Sequence, residues 1–103
     1  MSTGEDIRLL EELENLLTKQ IALARRGSFA AVLQMAGTCE PLVAKIAEAR
    51  LFERPGHKTA KDRLAGLYRD LQLLLSTQQS AAAEQLKAVR KGKKTLSIYR
   101  GSV

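Results

Sequence analysis

The stretch TAKDRLAGLYRDLQLLLSTQQSAAAEQLKAVRK, residues 59–91, decides the fold of this chain. Its apolar side chains recur every three or four positions, which is the period of one face of an α-helix. The pattern predicts one long helix, with Thr59 able to cap its start and an end at about Lys91. The members of this face are Leu64, Leu67, Tyr68, Leu71, Leu74, Leu75, Gln78, Ala82, Leu86 and Val89.

Two further helical patterns precede this stretch. The first covers residues 5–26, with acids at its start and bases at its end, a polarity that complements the helix dipole. Gly27 follows as the C-terminal cap. The second pattern covers residues 28–53 and contains Pro41. One kinked helix is favoured, because the proline ring crowds the carbonyl four residues earlier and that residue is a glycine, Gly37. The alternative is a break at the proline, with Thr38 capping a new helix.

Short turns join the three predicted helices. Residues 54–58, Arg-Pro-Gly-His-Lys, give the clearest turn signal in the chain. Long helices joined by short turns pack against each other in opposite directions. The sequence therefore predicts an all-α protein, an antiparallel up-down-up three-helix bundle or coiled coil in a single domain of residues 1–103. Gly92 ends or weakens the third helix, and residues 92–103 are expected to form a flexible basic tail.

The net charge is concentrated at the C-terminal end. The chain has 17 Lys and Arg against 11 Asp and Glu, a formal net charge of +6. Acids and bases cancel over residues 1–84, whereas residues 85–103 carry six cations and no acid. A neutral body with a basic arm indicates that the arm either stays solvated or contacts a partner protein. Binding of the arm to nucleic acid is the competing interpretation.

Little in the sequence points to catalysis or to a metal. The single histidine, His57, lies in the Pro-Gly turn and is expected at the surface, and the single cysteine, Cys39, is expected in or beside the core. One His and one Cys cannot furnish a closed metal site. We expect no enzymatic activity, no cofactor and no catalytic or metal-binding residue. Apolar runs too short for a bilayer and an N-terminus without a secretory signal predict a cytoplasmic protein without membrane insertion.

The third predicted helix is longer than its partners. Leu86 and Val89 lie beyond the length that the second helix would cover, and a chain this small has a marginal core. An exposed apolar strip on such a bundle is best explained by a missing partner helix. The sequence therefore predicts a protein-binding role.

Several short motifs resemble those of a bacterial chaperone family. Gly27-Ser28-Phe29 joins the first two helices, Glu40-Pro41-Leu42-Val43 lies in the second, and Tyr99-Arg-Gly101 closes the chain after the Leu-rich helix. This pattern resembles the FlgN-like flagellar export chaperones, and the FliT-like chaperones are nearly as good a match. The resemblance implies a cytosolic chaperone for type III export. Its clients would be hook-associated proteins of the hook-filament junction, held by C-terminal amphipathic segments and delivered to the export apparatus.

Such a chaperone would bind its client helix in a groove along the third helix, completing a four-helix arrangement. Lys87, Arg90 and Lys91 would steer an acidic client and fix its register. A small nucleic-acid-binding or regulatory protein acting through the basic tail is the alternative function, and a homodimer burying two exposed strips is a third possibility. The expected partner-binding side chains are Leu75, Leu86, Val89, Leu96, Ile98 and Tyr99.

Overall fold

A computed structural model of the chain describes residues 3–77 and 83–101, and the side chains of residues 4–77 and 83–96. The described residues are helical with short connections and contain no strand. A short 3₁₀ helix, Leu51–Glu53, interrupts the longest of the described connections. The four α-helices are α1 (Thr3–Arg25), α2 (Phe29–Glu48), α3 (Lys58–Ser76) and α4 (Ala83–Gly101).

The described residues form four α-helices where the sequence predicted three. The predicted helix of residues 59–91 corresponds to α3 and α4, which lie side by side. Helix α4 also continues to Gly101 through residues that were expected to form a flexible tail. Folding α4 back buries Val89 and Leu96, which a straight continuation of α3 would leave in water. Gln78 and Ala82, placed on the apolar face by the sequence, lie outside the described residues.

Side-chain hydroxyls mark the end of α3. The Ser76 hydroxyl donates to the carbonyl of Leu73 at 3.0 Å, and the Thr77 hydroxyl donates to that of Leu74 at 2.7 Å. The Leu73 carbonyl also accepts from the Thr77 amide at 3.3 Å, so the two hydroxyls add side-chain donors to the carbonyl groups of the last turn of the helix. The end of α3 therefore has a local cause besides the packing of α4.

The start of the chain matches its pattern closely. Gly27 adopts a left-handed backbone with φ of 78°, and the Ser28 amide donates to the Leu23 carbonyl at 3.0 Å, as in a helix-ending Schellman motif. Helix α2 runs through Pro41 without interruption, as favoured. It ends at Glu48 rather than at residue 53, because the chain turns there into the 3₁₀ helix.

The helices are arranged around the bundle in the order α1, α2, α4, α3. Helix α1 packs against α2 and α3, and α4 packs against the same two helices. Consecutive helices run in opposite directions, so the neighbours α2 and α4 run parallel, and the Gln85 amide near the start of α4 donates to the Phe29 carbonyl at the start of α2. The α2–α3 connection crosses the bundle diagonally, with Arg50 at φ of 52° and Gly56 at φ of 91°.

The hydrophobic core lies along the axis where the four helices meet. It is built mainly from leucine, isoleucine and valine. Helices α1 and α2 contribute most of it, and α4 contributes least. The buried apolar side chains of α1–α3 and their connections are Leu10, Leu13, Leu17, Ile21, Ala24, Val32, Cys39, Leu42, Val43, Ile46, Ala47, Leu51, Leu64, Tyr68, Leu71 and Leu75.

An ionic cluster joins the start of α1 to the diagonal connection. Arg54 forms an ion pair with Asp6, whose side chain is only 8% exposed. The His57 Nε2 atom lies 4.0 Å from the same carboxylate. The expectation that His57 is a surface residue is wrong, because the chain places it at the N-cap position of α3, where it packs beneath α1 and is buried.

Candidate functional site

Most of the expected partner-binding side chains lie in the protein's own core. Leu75, Val89 and Leu96 are 0%, 3% and 7% exposed, and Leu86 is half-buried against the same cluster. The vacant groove expected on the third helix is therefore filled, because α4 supplies the fourth helix of the bundle. The same burial covers the apolar strip that two copies would bury in the homodimer considered as a third possibility. The side chains of Ile98 and Tyr99 lie outside the described residues.

The interface between α4 and the rest of the bundle contains two gaps. A pocket of about 270 Å³ lies between α2 and α4, with Cys39 and Val89 among its lining residues. A second pocket of about 130 Å³ lies between α3 and α4, beside Leu64 and Leu96. Tyr68 lines both pockets and separates them. Both gaps are open to solvent, so they are surface clefts along the edges of α4 that larger side chains could fill.

A buried amide of α4 is only half satisfied. Gln85 is 7% exposed, and its Nε2 atom donates to the Phe29 carbonyl at 2.9 Å. Its Oε1 atom is buried and has no hydrogen-bond partner among the described residues. An unsatisfied buried acceptor costs about 1–3 kcal/mol. This cost falls on the docking of α4, since undocking would return the amide to water.

Three polar side chains meet at the larger pocket. The Gln20 Nε2 atom lies 3.9 Å from the Cys39 sulfur, a long contact between α1 and α2. Burial raises the pKa of the Cys39 thiol to about 11. Burial, reinforced by the nearby thiolate of Cys39, also raises the pKa of the Tyr68 hydroxyl. Both groups therefore stay protonated at neutral pH.

Sequence reasoning missed Gln20 and Gln85 as buried polar residues. A signal was present, since each occupies a position on the apolar face of its helix. Gln20 lies three residues after Leu17, and Gln85 lies four residues before Val89. A polar residue at a core position of an amphipathic helix indicates an internal polar site as readily as a tolerated defect.

The outer face of α4 is a stripe of cations. Lys87, Arg90, Lys91 and Lys94 are exposed and recur at helical spacing on the face opposite Val89. The Lys91 ammonium lies 3.4 Å from Glu40 of α2. The other three have no acidic partner among the described side chains. The structure thus places the three expected steering residues, Lys87, Arg90 and Lys91, together on one open surface.

The described residues give no indication of a metal site or of a membrane-spanning helix. Within residues 3–77 and 83–101, no group of three or more His, Cys, Asp and Glu side chains is arranged to hold a metal ion. No helix in these ranges has both the length and the apolar composition to cross a bilayer. Comparison of the chain with models of known families, with curated proteins and with solved structures finds no match.

Proposed function

We propose that this protein binds an amphipathic helix of a client protein, and that α4 leaves the bundle to make room for it. The observation that carries the proposal is that the two gaps described above and the buried unpaired amide oxygen all border α4. The client helix would occupy the seat of α4 between α2 and α3. The resemblance to flagellar export chaperones supports the same role.

The energetics favour α4 as the exchangeable helix. Among its described side chains, only Val89 and Leu96 are buried apolar groups, with Leu86 half-buried. Burying a side chain of this kind stabilises the fold by about 1.5–3 kcal/mol. The cost of the unpaired Oε1 atom of Gln85 offsets about the stabilisation that one of these apolar side chains provides. A client helix with larger apolar side chains at the corresponding positions would fill the gaps and bind more tightly than α4.

The cation stripe defines the charge of the expected client. While α4 is docked, Lys87, Arg90 and Lys91 present positive charge at the edge of the seat that the client must enter. Such charges increase the association rate of an acidic partner more than they add to affinity. By the family resemblance, the client is the C-terminal segment of a hook-filament junction protein, which the chaperone would deliver to the export apparatus.

Calorimetric titration with synthetic C-terminal segments of hook-associated proteins from the same genome tests this proposal. Leu96→Asp places a charge on the buried face of α4, so less free energy is needed to release this helix. The affinity for the client should therefore increase about tenfold or more. The matched control is Leu73→Asp on α3, a position 59% exposed and outside both pockets, which should bind like the wild type.

Two results would count against the proposal, one against α4 exchange and one against the identity of the client. Circular dichroism first establishes that each variant keeps its helical content. Weaker client binding by a folded Leu96→Asp protein would show that α4 itself holds the client. No binding of any such segment by either variant or by the wild type would reject hook-associated clients.

The cation stripe also favours a second candidate function, the binding of nucleic acid. Three of its four cations have no acidic partner among the described side chains, so they can contact phosphates. Titration with duplex and single-stranded DNA at two salt concentrations tests this function, since phosphate contacts make affinity fall steeply with salt. Arg90→Ala should reduce that salt dependence, whereas the control Lys58→Ala, on an exposed position of α3, should not. Affinity that is insensitive to salt would reject it.

A further inference from the structure

The larger pocket between α2 and α4 has the features of a small-molecule site. We propose that it binds an uncharged, mostly apolar molecule carrying one hydrogen-bonding group, of the size and chemistry of a phenol or an indole. The proposal does not depend on the exchange of α4, because it concerns the chain in its closed, four-helix form.

The size and walls of the pocket suit such a molecule. Its volume is about 270 Å³. A cavity of about 150 Å³ accepts benzene, and drug-sized ligand pockets begin near 300 Å³, so the space matches one or two fused rings. Apolar side chains from three helices form most of the wall, including Leu17, Val43 and Val89. Leu33 at the wall is 39% exposed and marks the side open to solvent.

Two almost fully buried polar side chains line this apolar space. Gln20 is 1% exposed and Tyr68 is 3% exposed. The Tyr68 hydroxyl has no hydrogen-bond partner in the described part of the chain, and the Gln20 amide has only its long contact with the Cys39 sulfur. Because the pocket opens to solvent, water can reach these groups in the free protein, and a ligand with a hydroxyl or ring N–H would replace that water as their hydrogen-bonding partner.

Gly92 of α4 keeps the Tyr68 hydroxyl uncovered. A Cβ atom at this position would stand 3.3 Å from the hydroxyl oxygen, between it and the backbone of α4. The glycine therefore leaves the phenol group accessible from the pocket, which both residues line. The polar group that lacks a protein partner therefore lies at the wall of the pocket.

The pocket favours a neutral ligand over an ion. The charged side chains that line it are Glu40 and Lys91, which pair with each other at 3.4 Å and lie on exposed positions at the rim. The thiol and hydroxyl inside stay protonated at neutral pH because burial raises their pKa values. An ion entering this space would lose its hydration without gaining a counter-ion.

Titration of the isotope-labelled full chain with phenol and with indole, followed by NMR, tests the site. Saturable shifts should appear at amides of residues lining the pocket, with a rise in the midpoint of thermal unfolding. Tyr68→Phe should weaken the binding of phenol about three- to tenfold, the effect of one hydrogen bond. Benzoate, of similar size but charged, should bind at least tenfold more weakly than phenol.

A filling variant separates the pocket from other surfaces. Ala88 lines the pocket, so Ala88→Leu should abolish binding while helical circular dichroism is retained. Ala83→Leu is the matched control, because Ala83 is exposed on α4 and does not line the pocket. Absence of saturable shifts with both probes, equal binding of benzoate, or unchanged binding by a folded Ala88→Leu protein would each overturn the proposal.

Discussion

Tyr68 of α3 lies directly beneath Gly92 of α4, with its hydroxyl oxygen 3.3 Å from the point where a Cβ at residue 92 would stand. That separation is tighter than ordinary van der Waals contact, so a side chain at residue 92 would require the Tyr68 hydroxyl to shift by a few tenths of an ångström. The glycine reduces the helix propensity of α4 by about 1 kcal/mol relative to alanine. Gly92 thus leaves room for the Tyr68 hydroxyl and at the same time weakens α4.

A double-mutant cycle between these residues gives the first prediction. In the wild-type background, Gly92→Ala gains helix propensity but presses against the Tyr68 hydroxyl, so the free energy of unfolding should change little. In the Tyr68→Phe background the nearest ring atoms are 3.7 Å or more away, so the same change should stabilise by about 1 kcal/mol. Urea unfolding of the four proteins measures the coupling. Equal effects in both backgrounds would show that the hydroxyl does not limit the approach of α4.

Sequence reasoning could identify the helical fold and the first turn because local signals determine them. Acids at the start of α1, bases at its end and Gly27 after it all act within one helix. The division between α3 and α4 has weaker local signals, namely the hydroxyls of Ser76 and Thr77, while the apolar period continues across it. What divides the long helix is the burial of Val89 and Leu96 against residues far away in the sequence.

The same distinction between local signals and contacts of distant residues decides which parts of the candidate site the sequence could predict. The exposure of Lys87, Arg90 and Lys91 follows from helix period and charge, which sequence supplies. The burial of His57 does not, because it depends on the diagonal connection placing that residue beneath Asp6 of α1. The partly filled interface of α4 depends on how four helices fit together, and no periodicity in one helix reports it.

Cys39 gives a second prediction, as a reporter of α4 release. It is the only cysteine, it is 5% exposed, and it lines the pocket beside α4. Its reaction with a thiol reagent such as DTNB should be slow in the wild type. Val89→Ala should increase the rate more than Leu13→Ala does, although Leu13 is the more buried and its loss should lower global stability more. A larger increase with Leu13→Ala would mean that Cys39 reacts only through global unfolding.

Alkaline pH gives a third prediction. The thiol of Cys39 has an ordinary pKa of 9.0 and a pKa of about 11 when buried, so between these values the unfolded chain holds fewer protons than the folded chain. The free energy of unfolding therefore falls as pH rises from 9 to 11, by at most about 2 kcal/mol from this group. Tyr68 adds to the fall above its ordinary pKa of 10.0.

The control for this pH dependence is Cys39→Ala. Urea unfolding at pH 8, 9 and 10 should show a shallower fall in stability for the variant than for the wild type over this range. Above pH 10 the contribution of Tyr68 that comes from burial should remain in both proteins, while the part that comes from the neighbouring thiolate is lost in the variant. Parallel curves for the two proteins would show that the thiol titrates alike in the folded and unfolded chains.

The ion pair of Arg54 and Asp6 gives a fourth prediction. Arg54→Ala leaves the carboxylate of Asp6 buried without its guanidinium and should destabilise the fold by about 2–4 kcal/mol. Asp6→Asn should cost less, because a neutral amide replaces the buried charge. Asp62→Ala is the control, since its partner Lys58 is 86% exposed and such pairs contribute less than about 1 kcal/mol. Equal losses for Arg54→Ala and Asp62→Ala would show that the pair is solvated.

Gln85 connects stability to the proposed function in the last prediction. Gln85→Leu removes the buried unpaired Oε1 atom, and the Phe29 carbonyl that loses its side-chain donor still has the helical hydrogen bonding of α2 available. The variant should raise the free energy of unfolding by about 1 kcal/mol. This added stability holds α4 more firmly in the bundle, so a client that must displace α4 should bind about fivefold more weakly. Leu96→Asp should have the opposite effect. A stabilised Gln85→Leu protein that binds its client as tightly as the wild type would show that the client does not replace α4.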